Sequence, residues 1–112
     1  MRLPGADNAV IDRAKLVDYC LSLTHPVGRH KARVFLSALG LTAADTDFLT
    51  EVLRQGIKDH EAQTDRLDQH GQRYSVDVPL TTGVGSAIIR AAWIIRTDEG
   101  FPRLVTCYVV VE

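Results

Sequence analysis

Three stretches in the first half of the chain carry apolar residues at helical spacing, and the second half changes to strand-like patterns. Leu16, Val17, Tyr19, Cys20 and Leu23 follow Asp12, a good N-cap, so a first helix is predicted over 13–23. Thr24-His25-Pro26 ends it, because proline removes a donor and drives the residue before it out of the helical region. Ala32, Phe35, Leu36 and Leu39 make one inward stripe on a second helix over 28–39, and Gly40 stands where a left-handed C-cap belongs. Thr42-Ala43-Ala44-Asp45 has capping-box spacing, with Asp in place of Glu. It precedes a third stripe of Phe48, Leu49, Val52, Leu53 and Ile57. From Lys58 to Gln72 only Ala62 and Leu67 are available for burial, so this segment reads as a polar excursion within a single domain, 1–112.

After Gly71, Tyr74, Val76 and Val78 alternate with Ser75, Asp77 and Pro79, as in a half-buried strand. Gly83-Val84-Gly85-Ser86 supplies a turn. A β-branched strand follows over 87–96, and Thr97-Asp98-Glu99-Gly100 a second turn. A third strand runs from Arg103 to Val111. Helices followed by strands indicate α+β: N-terminal helices packed on one face of a C-terminal antiparallel β-meander, with the other face open to a ligand. Strict alternation along the last strand puts Arg103, Val105, Cys107 and Val109 on one face, and Leu104, Thr106, Tyr108 and Val110 on the other.

At 112 residues and 46% apolar content the chain can bury a core without metal or disulfide staples. No run approaches the roughly 20 apolar residues of a membrane-spanning helix, and no apolar segment backs Met1-Arg2 as in a secretory signal, so a cytoplasmic protein is expected. Cys20 and Cys107 lack any second-ligand spacing and read as core thiols. The acids show no His-x-x-x-His or paired-carboxylate arrangement, and Gly83-Val84-Gly85 has no lysine after it, so neither metal nor cofactor is expected.

Lys and Arg number 13 against 14 Asp and Glu, so any electrostatic argument must be local. Between Cys20 and Leu41 there is no acid, yet the segment holds Arg29, Lys31, Arg33, His25 and His30, whereas Thr42 to His70 has seven acids against three bases. Such a basic island attracts phosphate, although it also reads as a solvated helix face. His25 lies in a proline corner, where it is either a turn hydrogen-bonder or a proton-transfer group. Thr106 and Tyr108 share a strand face and bring two hydroxyls that suit a phosphate, or else serve as a β-former and a core ring. Trp93 is a core aromatic or, if exposed, a ring on which a base stacks.

The block Thr24-His25-Pro26-Val27-Gly28-Arg29-His30-Lys31-Ala32-Arg33-Val34-Phe35, closing with Leu39-Gly40, resembles the signature of a small uncharacterised bacterial domain family. So does Trp93-Ile94-Ile95 followed by Pro102-Arg103-Leu104-Val105-Thr106-Cys107-Tyr108. In architecture the chain is also similar to the barnase–EndoU–colicin–RelE-like ribonucleases, small metal-independent RNA-cleaving toxins. That resemblance implies His25 as general acid or base, Lys31 as the cation facing the phosphorane, and Thr106 with Tyr108 positioning the phosphate. Arg29 and Arg103 would add phosphate contacts, and His30 a second proton-transfer group. The implied reaction is attack of a ribose 2′-hydroxyl on the adjacent phosphate, with RNA as partner and no cofactor. A sequence pI near 6.4 departs from the basic character typical of that group. The competing reading is a non-catalytic protein-binding module, the partner in a toxin–antitoxin-like or immunity pair, which engages a partner or a second copy through the C-terminal strand. Convergence of His25 and Lys31 on one cleft with Thr106 separates the two.

Overall fold

The computed structural model describes residues 1–111. After a 3-10 turn (Ala6–Asn8), α1 (Arg13–Lys15) continues into one wide π turn (Leu16–Cys20). Asp12 caps α1 as predicted, its carboxylate accepting the Ala14 N–H at 3.0 Å. The helix stops at Cys20 and not at Leu23. The Leu21 N–H reaches back to the Leu16 carbonyl (2.8 Å), and Ser22 Oγ accepts the N–H groups of Thr24 (3.4 Å) and His25 (3.2 Å), which turns the chain before Pro26.

Helix α2 (Arg29–Leu39) ends on Gly40 at φ 70°, the left-handed cap its glycine anticipates. The capping box forms in a 3-10 turn (Ala43–Asp45): Asp45 accepts the Thr42 N–H (2.9 Å) and Thr42 accepts that of Ala44 (3.3 Å). Helix α3 (Thr46–Asp59) follows. Both inward stripes are narrower than their sequences suggest, since Leu36 is 41% and Phe48 48% exposed at their margins.

The sheet has four antiparallel strands in the order β1 (Ala62–Asp68), β2 (Gly71–Thr81), β3 (Ser86–Arg96) and β4 (Pro102–Val109). Strand β1 lies within the stretch read as a polar excursion. It is an edge strand that buries only Ala62 and is bulged between Thr64 and Leu67, so it carries no apolar alternation for a pattern to detect. Leu16, Phe35, Leu39, Leu49, Leu53 and Ile57 from the helical layer pack on Val76, Ile89, Ala91 and Trp93 of the sheet, which confirms the α+β class and the helices on one face.

A bulge in β4 overturns the strict alternation expected there. Ala92 pairs with Thr106 but Trp93 pairs with Leu104, so Val105 is the extra residue. Pro102 and Leu104 point to the core on one side of the bulge, and Cys107 and Val109 on the other. Arg103, Val105, Thr106 and Tyr108 consequently all stand outside the core.

A candidate functional site along the edge of β4

The β4 edge meets the helical layer at two places. Val10 makes a parallel bridge to Arg103, donating to the Pro102 carbonyl (2.8 Å) and accepting from the Leu104 N–H (3.0 Å). Farther along, the Cys20 sulfur at the end of the π turn lies 3.5 Å from Thr106 Oγ1. Beside these contacts runs a groove made of two cavities that share Lys31 in their lining. The first, about 440 Å³, is lined by Asp12, Lys15, Tyr19, Lys31, Val105 and Thr106. The second, about 310 Å³, is lined by His30, Lys31, Val34, Tyr108 and Val109. Lys31 belongs to both.

Its ammonium is held in place. Lys31 Nζ donates to Tyr19 Oη at 2.9 Å and lies 4.6 Å from the centre of that ring, so a cation and a hydroxyl are fixed together beside Thr106. The Tyr19 ring in turn abuts His25 edge-on, with centroids 4.9 Å apart at 82°. His25 is a cap. Its Nδ1 accepts the N–H groups of Val27 (3.0 Å) and Gly28 (2.9 Å), which places its proton on Nε2 and satisfies donors ahead of α2. Loss of a cap costs about 1 kcal/mol. His25→Ala is therefore expected to destabilise by about that amount in urea denaturation, and His25→Asn, which keeps an acceptor, by much less.

Beneath the groove, Cys20 and Cys107 are both fully buried. The Cys20 thiol is lowered from an ordinary value of 9.0 to about 6. The Cys107 thiol donates to it, the Thr106 hydroxyl, the Cys107 N–H and the Lys31 charge add to this, and burial opposes it. Cys107 is pushed up by its Cys20 neighbour and by burial. A depressed acid stabilises the fold above its unfolded pKa and loses that contribution as pH falls through the folded one, so stability attributable to Cys20 should rise between about pH 6 and pH 9. Urea titrations at both ends of that window are expected to show a larger gain with pH for wild type than for Cys20→Ala.

A family model described as a domain of unknown function (DUF6883) matches residues 2–111. The chain belongs to the DUF6883 family. The expectation of an uncharacterised family is thus met over nearly the whole sequence. No curated protein and no solved structure matches.

Of the residues singled out in this DUF6883 domain, Lys31, Thr106, Tyr108 and His30 line the groove. His25 is one ring removed, behind Tyr19. Tyr108 is the cross-strand partner of Arg90, which forks onto Asp77 (2.8 and 2.9 Å) on the sheet face away from the helices. Arg29 donates to the Pro26 carbonyl (2.7 Å), so it braces the proline corner. Arg103 is engaged by both Glu99 oxygens (2.8 Å each) and lies 5.0 Å from the Phe101 ring, away from Lys31. Trp93 is fully buried, and a ring with no exposed face cannot stack on a base. Sequence reasoning missed Tyr19, Asp12 and Lys15 as groove residues, because their helical positions gave no sign that the π turn would face the β4 bulge. It also missed the approach of Cys20 to Thr106. Among the described residues no cluster of three His, Cys, Asp or Glu side chains could hold a metal, and no helix is long and apolar enough to cross a membrane.

Proposed function

We propose that the β4 groove cleaves single-stranded RNA without a metal. The observation that carries this reading is Lys31, fixed by Tyr19 between Thr106 on one side and His30 with Tyr108 on the other. A phosphodiester seated there has its non-bridging oxygens against the Lys31 ammonium, where preorganised charge stabilises the phosphorane. The Thr106 and Tyr19 hydroxyls orient it. His30, exposed on the first turn of α2, accepts the proton of the ribose 2′-hydroxyl as that oxygen attacks phosphorus. The bond to the 5′-oxygen breaks, His30 returns the proton to that oxygen, and the products are a 2′,3′-cyclic phosphate and a 5′-hydroxyl. His25 acts through Tyr19 as a positioning residue.

Strand addition at β4 is the weaker reading, because Val10 already engages the Pro102 carbonyl and the Leu104 N–H, edge groups that an added strand would need. Proton transfer by a positioned side chain contributes about 10² to 10⁴ in rate. With unstructured RNA in EDTA, wild type is expected to cleave and His30→Gln to be slower by a factor in that range, with circular dichroism unchanged. Cleavage by His30→Gln at the wild-type rate would remove His30 from the mechanism, and intact RNA with wild type in stoichiometric amounts would end the proposal.

A further inference from the structure

The two cavities of the β4 groove differ in character, although both take in Lys31. The first has Asp12, Lys15 and Thr106 in its wall. The second, about 310 Å³, is walled almost entirely by carbon: Val34 of α2 and Tyr108 and Val109 of β4, with His30 and Lys31 beside them. Val34 and Tyr108 are half-buried, so each keeps a surface that a ligand can cover. His30 and Val34 lie one turn apart on the same face of α2, which holds the imidazole and the apolar wall in line. An apolar recess beside a fixed cation suits a ligand whose flat, weakly polar body is joined to an anion by a short polar link. A nucleotide has that form, with its base, its ribose and its phosphate in sequence.

We infer that this second cavity is the subsite for the base on the 5′ side of the scissile phosphate, with Tyr108 as its stacking platform and adenine as the preferred base. The assignment to that side rests on the proposed cleavage. The attacking 2′-hydroxyl belongs to the 5′ nucleotide, and His30, the group that takes its proton, lines this cavity and not the first. With the phosphate on Lys31 and the ribose at His30, the base continues along α2 to Val34, a rise of about 6 Å. Stacking of this kind requires an unpaired base, because in a duplex both faces are already covered. The wall also sorts the bases. It favours the ring area that it covers and disfavours each polar edge group that it strips of water without replacing the hydrogen bond. Purines present two fused rings. Adenine carries one amino group and no carbonyl, whereas guanine brings a carbonyl, a ring N–H and an amino group. Tyr108 is thus a specificity-determining residue and takes no part in proton transfer.

The test titrates the wild-type protein with adenosine 3′-monophosphate, cytidine 3′-monophosphate and base-free ribose 3-phosphate, following the Val34 and Val109 methyl signals by NMR. No cleavage is needed for this readout. The adenosine ligand is expected to bind several-fold tighter than the cytidine one and to move both methyls by its ring current. Ribose 3-phosphate should bind more weakly by about 5-fold to 100-fold, the usual contribution of one stacked base, and leave those methyls in place. In strands bearing a single ribonucleotide, Tyr108→Ala should raise KM for adenosine by a factor in the same range with kcat little changed. It should also remove the preference over cytidine, whereas Tyr108→Phe keeps both. Equal binding of the three ligands, no saturable binding of adenosine 3′-monophosphate, or ring-current shifts that miss Val34 and Val109 would each overturn the base subsite, whatever the cleavage assay gives. Adenosine 3′-monophosphate seated on those methyls in a protein that leaves RNA intact would support the subsite and end the cleavage reading alone.

Discussion

Replacement of Gly28 by alanine is expected to destabilise the fold by about 3 kcal/mol, the upper end of the range for overpacking. Gly28 has an ordinary helical φ of −64°, so backbone strain is not the reason. A Cβ built there meets the Tyr19 backbone, its carbonyl carbon at 2.8 Å and its carbonyl oxygen closer still, with the ring at 3.0 Å. Backbone cannot rotate away as a side chain can, so the π turn and the start of α2 must separate. At roughly 4 °C per kcal/mol for a domain of this size, the melting temperature should fall by about 10 °C or more. The same separation moves Tyr19 from Lys31, so residual activity should be low even at temperatures where the variant stays folded. A melting temperature within about 2 °C of wild type would show that the close approach of Gly28 to Tyr19 is not a fixed feature of the fold.

Lys31→Met should have the largest effect on activity, a loss of about 10² to 10³ in rate, as expected when one preorganised charge-stabilising donor is removed. Methionine keeps an apolar stem where the lysine chain packs and removes only the charge and its donors. The cost to stability should be small, because the bond to Tyr19 Oη and the contact with its ring contribute about 1 kcal/mol each at most in a half-exposed setting. A variant that melts normally and cleaves at the wild-type rate would mean that Lys31 faces no developing charge. Lys31→Arg is expected to recover only part of the rate, since a forked guanidinium does not reproduce the single short contact to Tyr19.

What could be read from the sequence was whatever local chemistry decides. Asp12, Gly40 and the Thr42–Asp45 box each act within a few residues, and each forms as its neighbours dictate. Lys31 at the margin of an amphipathic stripe, and the proline corner that turns His25 into either a cap or a proton donor, were likewise legible. Features set by distant parts of the chain were not. Strand β1 is held by pairing with β2 and buries almost nothing, so no periodicity marks it. The bulge at Val105 carries neither glycine nor proline, and it alone decides that Thr106 shares a side with Arg103 and not with Leu104. Gly28 announces a helix start, yet its need for no side chain comes from Tyr19, which reaches it only after the chain has turned. The groove exists because the π turn, α2 and the bulged strand meet, and each was placed by core residues elsewhere.

The most direct test of an RNA-cleaving groove is a DNA oligonucleotide carrying a single ribonucleotide, incubated with the protein in EDTA beside an all-deoxy control. Cleavage confined to the ribonucleotide, ending in a 2′,3′-cyclic phosphate and a 5′-hydroxyl and lost in Lys31→Met, is the predicted result. An intact ribonucleotide-bearing strand, or equal cutting of the all-deoxy control, would contradict it.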